Sequence, residues 1–181
     1  MGKLDGAIGY LAGAITYVSD DGICWRQDFK SRSKILIPKI SFFDPTEKPK
    51  GLGSEIGYEK RQAKQWKVDG EFDKLTKHVK SYRRLDLRMV DNAHFLILNI
   101  DIDIFTLGSI DEAITSERQC KPIFAIIKQG KKNAPDWLFA MMKHQEIFEN
   151  NQECVEYLAK LDSGEIELDN RWVLYNGMCP V

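Results

Sequence analysis

The sequence predicts an α/β fold in which one parallel sheet is flanked by helices, and three observations carry that expectation. The runs AIGYLAGAI (7–15), FLILNI (95–100) and PIFAII (122–127) are short and apolar throughout, as strands buried on both faces are. Stretches with helical periodicity lie between them, and strands alternating with helices imply parallel crossover connections. The 181 residues are 43% hydrophobic and 29% charged, which suits one well-developed core and one domain over 1–181.

Each element follows in order. Residues 7–15 give the first strand, whose small residues mark a tight turn at its end. Residues 20–30 read as a loop running into a short helix around Trp25. ILIPKISFF (35–43) reads as a second strand, with Pro38 at an edge or bulge because proline donates nothing to a ladder. DPTEKPKGLGSEIG (44–57) is rich in proline and glycine and opens a long loop insertion around 44–70. A charged helix follows over 71–91, with Leu75, Val79, Tyr82, Leu85 and Met89 on its buried face. FLILNI is the next strand, 108–118 a helix and PIFAII another strand. Trp137, Met141 and Met142 belong to an amphipathic segment facing the core. A helix over 152–161 offers Val155, Tyr157 and Leu158 to the core, and NRWVLY (170–175) is a last strand. The whole is a Rossmann-like, flavodoxin-type sheet.

Charge and composition narrow the function. Lys plus Arg number 26 against 27 Asp plus Glu, a net charge of -1, so nothing steers the chain toward nucleic acid. The basic stretch from Lys60 to Arg84 is interleaved with Asp69, Glu71 and Asp73 and reads as a solvated helix face. Cys24, Cys120, Cys154 and Cys179 match no zinc or disulfide spacing and are expected as reduced thiols. His78 and His144 stand alone, so no metal and no cofactor are expected. With no leader and no run of ~18 apolar residues, a cytoplasmic protein with no membrane partner is expected.

In open parallel sheets, ligands sit beyond the carboxyl ends of the strands. Three segments fall there: Gly13-Ala14-Ile15 after the first strand, Asp86 on the helix leading to the FLILNI strand, and DIDIFTLGSIDE (101–112) after that strand. Glu112 in the first turns of its helix either complements the helix dipole or serves a site. Asp111 beside it reads as a capping or solvated acid.

These residues resemble the nucleoside 2-deoxyribosyltransferase family and its relatives that hydrolyse nucleoside 5'-monophosphates. YLAGAI (10–15) resembles the family's opening strand and turn, and Trp25-Arg26 its WR pair. DLRMVDNAHFLIL (86–98) resembles its acidic helix end and strand, although His94 stands where an Asp is usual and is read as structural. GSIDEAITSERQCKP (108–122) resembles its G-[ST]-x-x-E block followed by a K-P pair. The resemblance implies that Glu112 attacks the anomeric carbon and that Asp86 holds the sugar hydroxyls or orients Glu112. It implies that Gly13, Ala14, Ile15, Trp25 and Arg26 line the substrate pocket, and that Gly108 and Ser109 bind the 5' end. Asp101 matches by strand register and Asp103 by counting back from Glu112, and either would relay a proton to the base. A homo-oligomer is implied as well.

The chemistry suits these residue types. N-glycoside cleavage passes through an oxocarbenium-like state that a nearby carboxylate stabilises, and a covalent sugar intermediate splits one difficult displacement into two. A second free nucleobase entering gives transfer, and water gives hydrolysis. Transfer between bases is the leading expectation, because the nucleophile block resembles that of the transferases. Hydrolysis of a 5'-monophosphate, with Ser109 and an arginine holding phosphate, is the second, and a nucleotide-binding module without turnover is the third. GLGSEIG (51–57) spells a competing glycine-rich loop around Glu55, but no buried strand precedes it. It reads as a lid or an oligomer contact, and Glu55→Gln is expected to be nearly silent.

Overall fold

The computed structural model describes residues 2–49 and 53–172. Its five strands are β1 (Ile8–Gly13), β2 (Ser41–Phe43), β3 (Phe95–Ile100), β4 (Ile123–Ile127) and β5 (Ile147–Phe148). They form one parallel sheet in the order β2-β1-β3-β4-β5. The helices are α1 (Ile23–Leu36), α2 (Gly57–Val68), α3 (Phe72–Asn92), α4 (Leu107–Arg118), α5 (Leu138–Met141) and α6 (Asn151–Ser163). The α/β, Rossmann-like expectation holds.

Alternation along the strands builds two cores. Leu11, Phe95, Ile97, Phe124 and Ile126 face α1 and α6, while Tyr10, Ala12, Leu96, Leu98 and Ala125 face α3 and α4. The first face is closed by rings: Phe29 meets Phe42 at 5.5 Å, and Phe95 meets Phe124 at 5.9 Å and Trp172 at 5.5 Å between centroids. Each buried ring contributes about 1.5–3 kcal/mol by burial, more than the ~0.5–1.5 kcal/mol of ring-pair geometry. The second face is thinner. There α4 turns Ser109, Ala113 and Ser116 to the sheet, and these small buried residues let the helix lie close.

Several elements differ from the sequence reading. The run 35–43 is not one strand: α1 continues through Leu36, leaving Ile35 79% exposed, and only Ser41–Phe43 pairs with β1. Ile37 is the buried anchor after the helix, and Pro38 interrupts both helix and ladder. Within 44–70, α2 occupies Gly57–Val68 with none of its residues buried, so no apolar stripe announces it. Trp137 is 82% exposed, because the single turn of α5 turns only Leu138 and Met142 inward. The two-residue β5 is too short to read as a strand from sequence. Of the expected last strand at 170–175, residues 173–175 lie outside the described residues, and Asn170 and Arg171 form a turn.

Among the described residues no helix is long and apolar enough to cross a membrane. Cys24 and Cys120 are exposed free thiols, and Cys154 is buried in the α6 core. His94 ties the starts of β1 and β3 together: its Nδ1 accepts from the Ile8 N–H at 2.9 Å, and its own N–H donates to the Ile8 carbonyl at 2.7 Å. Lys121 donates to the carbonyls of Val90 and Asp91 at 2.6 and 2.8 Å, capping the end of α3.

Candidate active site

The chain passes from β1 out to β2 and returns across β1 to β3, so the connections diverge between the carboxyl ends of β1 and β3. A cavity of about 660 Å³ opens there. That lies within the ~300–1,000 Å³ of small-molecule sites. Its wall is residues 13–17 after β1, Tyr82 and Asp86 on α3, Gly108, Ser109 and Glu112 on α4, and Pro45 and Glu55 from the β2–α2 loop.

The β1 end is shaped by what lies beneath it. A Cβ on Gly13 would stand 2.8 Å from the Trp25 ring and 3.2 Å from the Asn99 carbonyl, so only glycine lets backbone, indole and β3 meet here. Trp25 therefore supports Gly13 and does not line the cavity. Arg26 is fully buried, and its guanidinium donates to the carbonyls of Leu11 (3.2 and 3.3 Å), Gly13 (2.9 Å) and Gly22 (2.8 Å). It also faces Asp44 at 3.6 Å. The expected ligand-binding Arg26 is thus spent on the backbone of the loop that forms the wall.

Asp101 and Asp103 are also placed elsewhere. Asp101 accepts from Lys128 at 2.7 Å and Gln129 at 2.6 Å, and Asp103 accepts from Gln129 at 3.1 Å. Both face the β4 side, outside the cavity lining. The loop after β3 reaches the cavity instead through Phe105 and Thr106.

Three hydrogen-bonded pairs of polar groups converge at the cavity. The Tyr10 hydroxyl, carried on β1 by a fully buried ring, donates to Glu112 Oε1 at 2.6 Å. Burial is the main force on Glu112 and, with the Asp86 and Glu55 charges, raises its carboxyl from the ordinary 4.5 to about 8 against the Tyr10 hydrogen bond. Lys48, from the β2–α2 loop, donates to both oxygens of Asp86 at 2.7 and 3.0 Å, with its side chain only 2% exposed. Burial still holds the Asp86 carboxyl above its usual range, against Lys48. Glu55 accepts from the Tyr82 hydroxyl and is likewise raised by burial.

The structure therefore brings together Gly13, Ala14, Ile15, Asp86, Gly108, Ser109 and Glu112, and leaves Trp25, Arg26, Asp101 and Asp103 outside the lining. Tyr10, Lys48 and Tyr82 were not identified as site residues from sequence, and Glu55 was set aside. Tyr10 had a signal in the period of two that puts it on the α4 face with Ala12. Lys48 had none, because it sits in an irregular loop.

The Lys48–Asp86 contact makes a stability prediction. Asp86→Asn leaves a buried ammonium without its anion and lowers stability by about 3 kcal/mol in thermal unfolding. The double variant Lys48→Met/Asp86→Asn recovers most of that loss, and no recovery would mean the two residues act separately.

No protein-family model and no curated protein matches this chain. Among the described residues no group of His, Cys, Asp or Glu is arranged to hold a metal ion.

Proposed function

We propose that this protein cleaves the N-glycosidic bond of a 2'-deoxynucleoside through Glu112 and transfers the sugar to a second nucleobase. The observation that carries the reading is Glu112 itself: a carboxyl aimed into a nucleoside-sized cavity and held in one orientation by the Tyr10 hydroxyl. As the bond between the anomeric carbon and the base nitrogen breaks, the bonding pair leaves with the base and a Glu112 oxygen bonds to the carbon. The acceptor base then reverses the step on the same face, with net retention. Asp86, steadied by Lys48, holds the sugar hydroxyls. Gly108 and Ser109, in the first turn of α4, face the 5' end.

Charge supports a nucleoside over a nucleotide. Glu55, Asp86, Asp111 and Glu112 line the cavity against two cations, Lys67 and Arg83, and Arg83 is already bound to Asp111 at 2.7 Å. A phosphate dianion would face these carboxylates. The first turn of α4 carries no acid and presents free N–H groups, which supports 5'-monophosphate hydrolysis as the second reading. Exposed Leu107, Ile110 and Ile114 along α4 support a homo-oligomer.

The test is chromatography of the protein with deoxynucleosides, with and without a free base, and separately with deoxynucleoside monophosphates. A new nucleoside formed only with added base is the expected result. Base released from monophosphates alone would shift the reading to hydrolysis, and binding without product to a non-catalytic module. Asp86→Asn lowers kcat at least ~100-fold on the reactive substrate, and unchanged kcat would remove it from the site.

A further inference from the structure

The β2–α2 loop places a second carboxyl in the cavity, and its placement is built rather than incidental. Gly53 takes a left-handed backbone (φ +86) and lies so close to α3 that a Cβ would meet Ser81 Oγ at 2.7 Å and the Tyr82 nitrogen at 3.1 Å. The Ser54 N–H donates to Glu59 of α2 at 2.5 Å, and the Ile56 N–H to Ser54 Oγ at 3.2 Å. Lys60 of α2 is fixed in turn to the carbonyls of Ile15 and Val18, each at 3.2 Å, and to Asp21. Glu55 is therefore held between α2 and α3 with its carboxyl on Tyr82 and on the cavity wall.

Its neighbours define its chemistry. Lys48 is committed to Asp86, and Arg26 to backbone carbonyls. Among the described residues, neither Glu55 nor Glu112 is ion-paired, so two carboxyls share one cavity without a cation in contact with either. Like charges so placed do not both ionise near neutrality, and the pair retains one proton.

We propose that Glu55 is the acid–base residue of this site, protonating the departing nucleobase and taking the proton back from the incoming one. This rests on the N-glycosidic reading above. In the first half, the bond from the anomeric carbon to the base nitrogen breaks, Glu112 bonds to the carbon, and the Glu55 proton passes to a ring nitrogen or exocyclic oxygen of the base. In the second half, the acceptor base loses its N–H proton to the Glu55 carboxylate as its nitrogen displaces Glu112. Atoms and charge balance over the cycle, and no other reactant is needed.

The groups facing Glu55 are Tyr82 and Asp86 on α3, Lys48 on its own loop and Arg26 on α1, and Glu112 on α4 is coupled to it. Burial raises both carboxyls, Glu112 to about 8. The active form carries the shared proton on Glu55, so kcat/KM falls as rising pH removes that proton. A site that needed only the Glu112 carboxylate would instead rise through about 8.

The experiment measures kcat/KM against pH for the wild type, Glu55→Gln and Glu112→Gln over 6-substituted purine 2'-deoxynucleosides of graded base acidity. Glu55→Gln is expected to lose ~10² to 10⁴-fold on the least acidic bases, progressively less on the most acidic, and to lack the falling limb. Equal loss across the series, less than ~10-fold loss throughout, or a retained falling limb overturns the proposal. Should Glu55→Gln not fold, Tyr82→Phe removes the hydrogen bond favouring the Glu55 carboxylate and moves the falling limb to higher pH. An unmoved limb overturns the proposal. A wild type that cleaves none of the series overturns the N-glycosidic reading itself, and this inference with it. Wild-type turnover with Glu55→Gln showing equal loss, less than ~10-fold loss or a retained falling limb overturns only the role of Glu55.

Discussion

Glu112→Gln is expected to lose at least ~10³-fold in kcat, and to unfold at a higher temperature than the wild type. The first effect follows because the amide cannot form the covalent bond to the sugar. The second follows from linkage. The folded carboxyl titrates at about 8 against an ordinary 4.5, so between those values the folded state holds a proton that the unfolded chain has released. The unfolded state then binds fewer protons, and wild-type stability falls as pH rises through that window. The glutamine, always neutral, does not bear this cost. Thermal unfolding should show no difference between the proteins near pH 4 and a gain of ~2 to 6 °C for Glu112→Gln above pH 8. Retained turnover would remove Glu112 from the chemistry. An equal or lower melting temperature at high pH would show that the carboxyl is ionised without strain.

Arg26→Met is expected to be the most damaging substitution beneath the cavity wall, and through stability rather than direct contact with substrate. Its loss leaves the carbonyls of Leu11, Gly13 and Gly22 without the donors they have and Asp44 without one of its cations. Lys30 remains on Asp44 at 2.7 Å, so the carboxylate is not wholly abandoned. The remaining cost is about 3–5 kcal/mol, or ~10 °C in melting temperature. Differential scanning calorimetry checks it. A stable variant that merely binds substrate less tightly would restore Arg26 to the ligand-binding role expected from its sequence neighbourhood.

Arg26 also shows how far a sequence carries. The Trp25-Arg26 pair was legible as part of the helix after the first strand, and it does lie there. What the pair contacts was not legible, because the direction of an arginine in an early helix turn depends on where the helix sits against the sheet. The same holds for Asp101 and Asp103. Their place after β3 was readable, but Lys128 and Gln129 after β4 draw them to the other side. Glu55 differs in the opposite direction. Without a buried strand before it, its loop was read as a lid or an oligomer contact, and the packing of Gly53 on α3 places the Glu55 carboxyl in the cavity wall.

By itself the sequence determined the sheet, its main strands, and the segments that meet at its carboxyl edge. Apolar runs and helical periodicity are local signals, and burial on both faces of a parallel sheet imposes them residue by residue. Only the tertiary structure decided which polar side chains share the cavity. That choice rests on contacts between residues far apart in the chain, Tyr10 with Glu112 and Lys48 with Asp86, and on the desolvation that the assembled walls impose. No local pattern encodes either, since both exist only once the helices have closed over the end of the sheet.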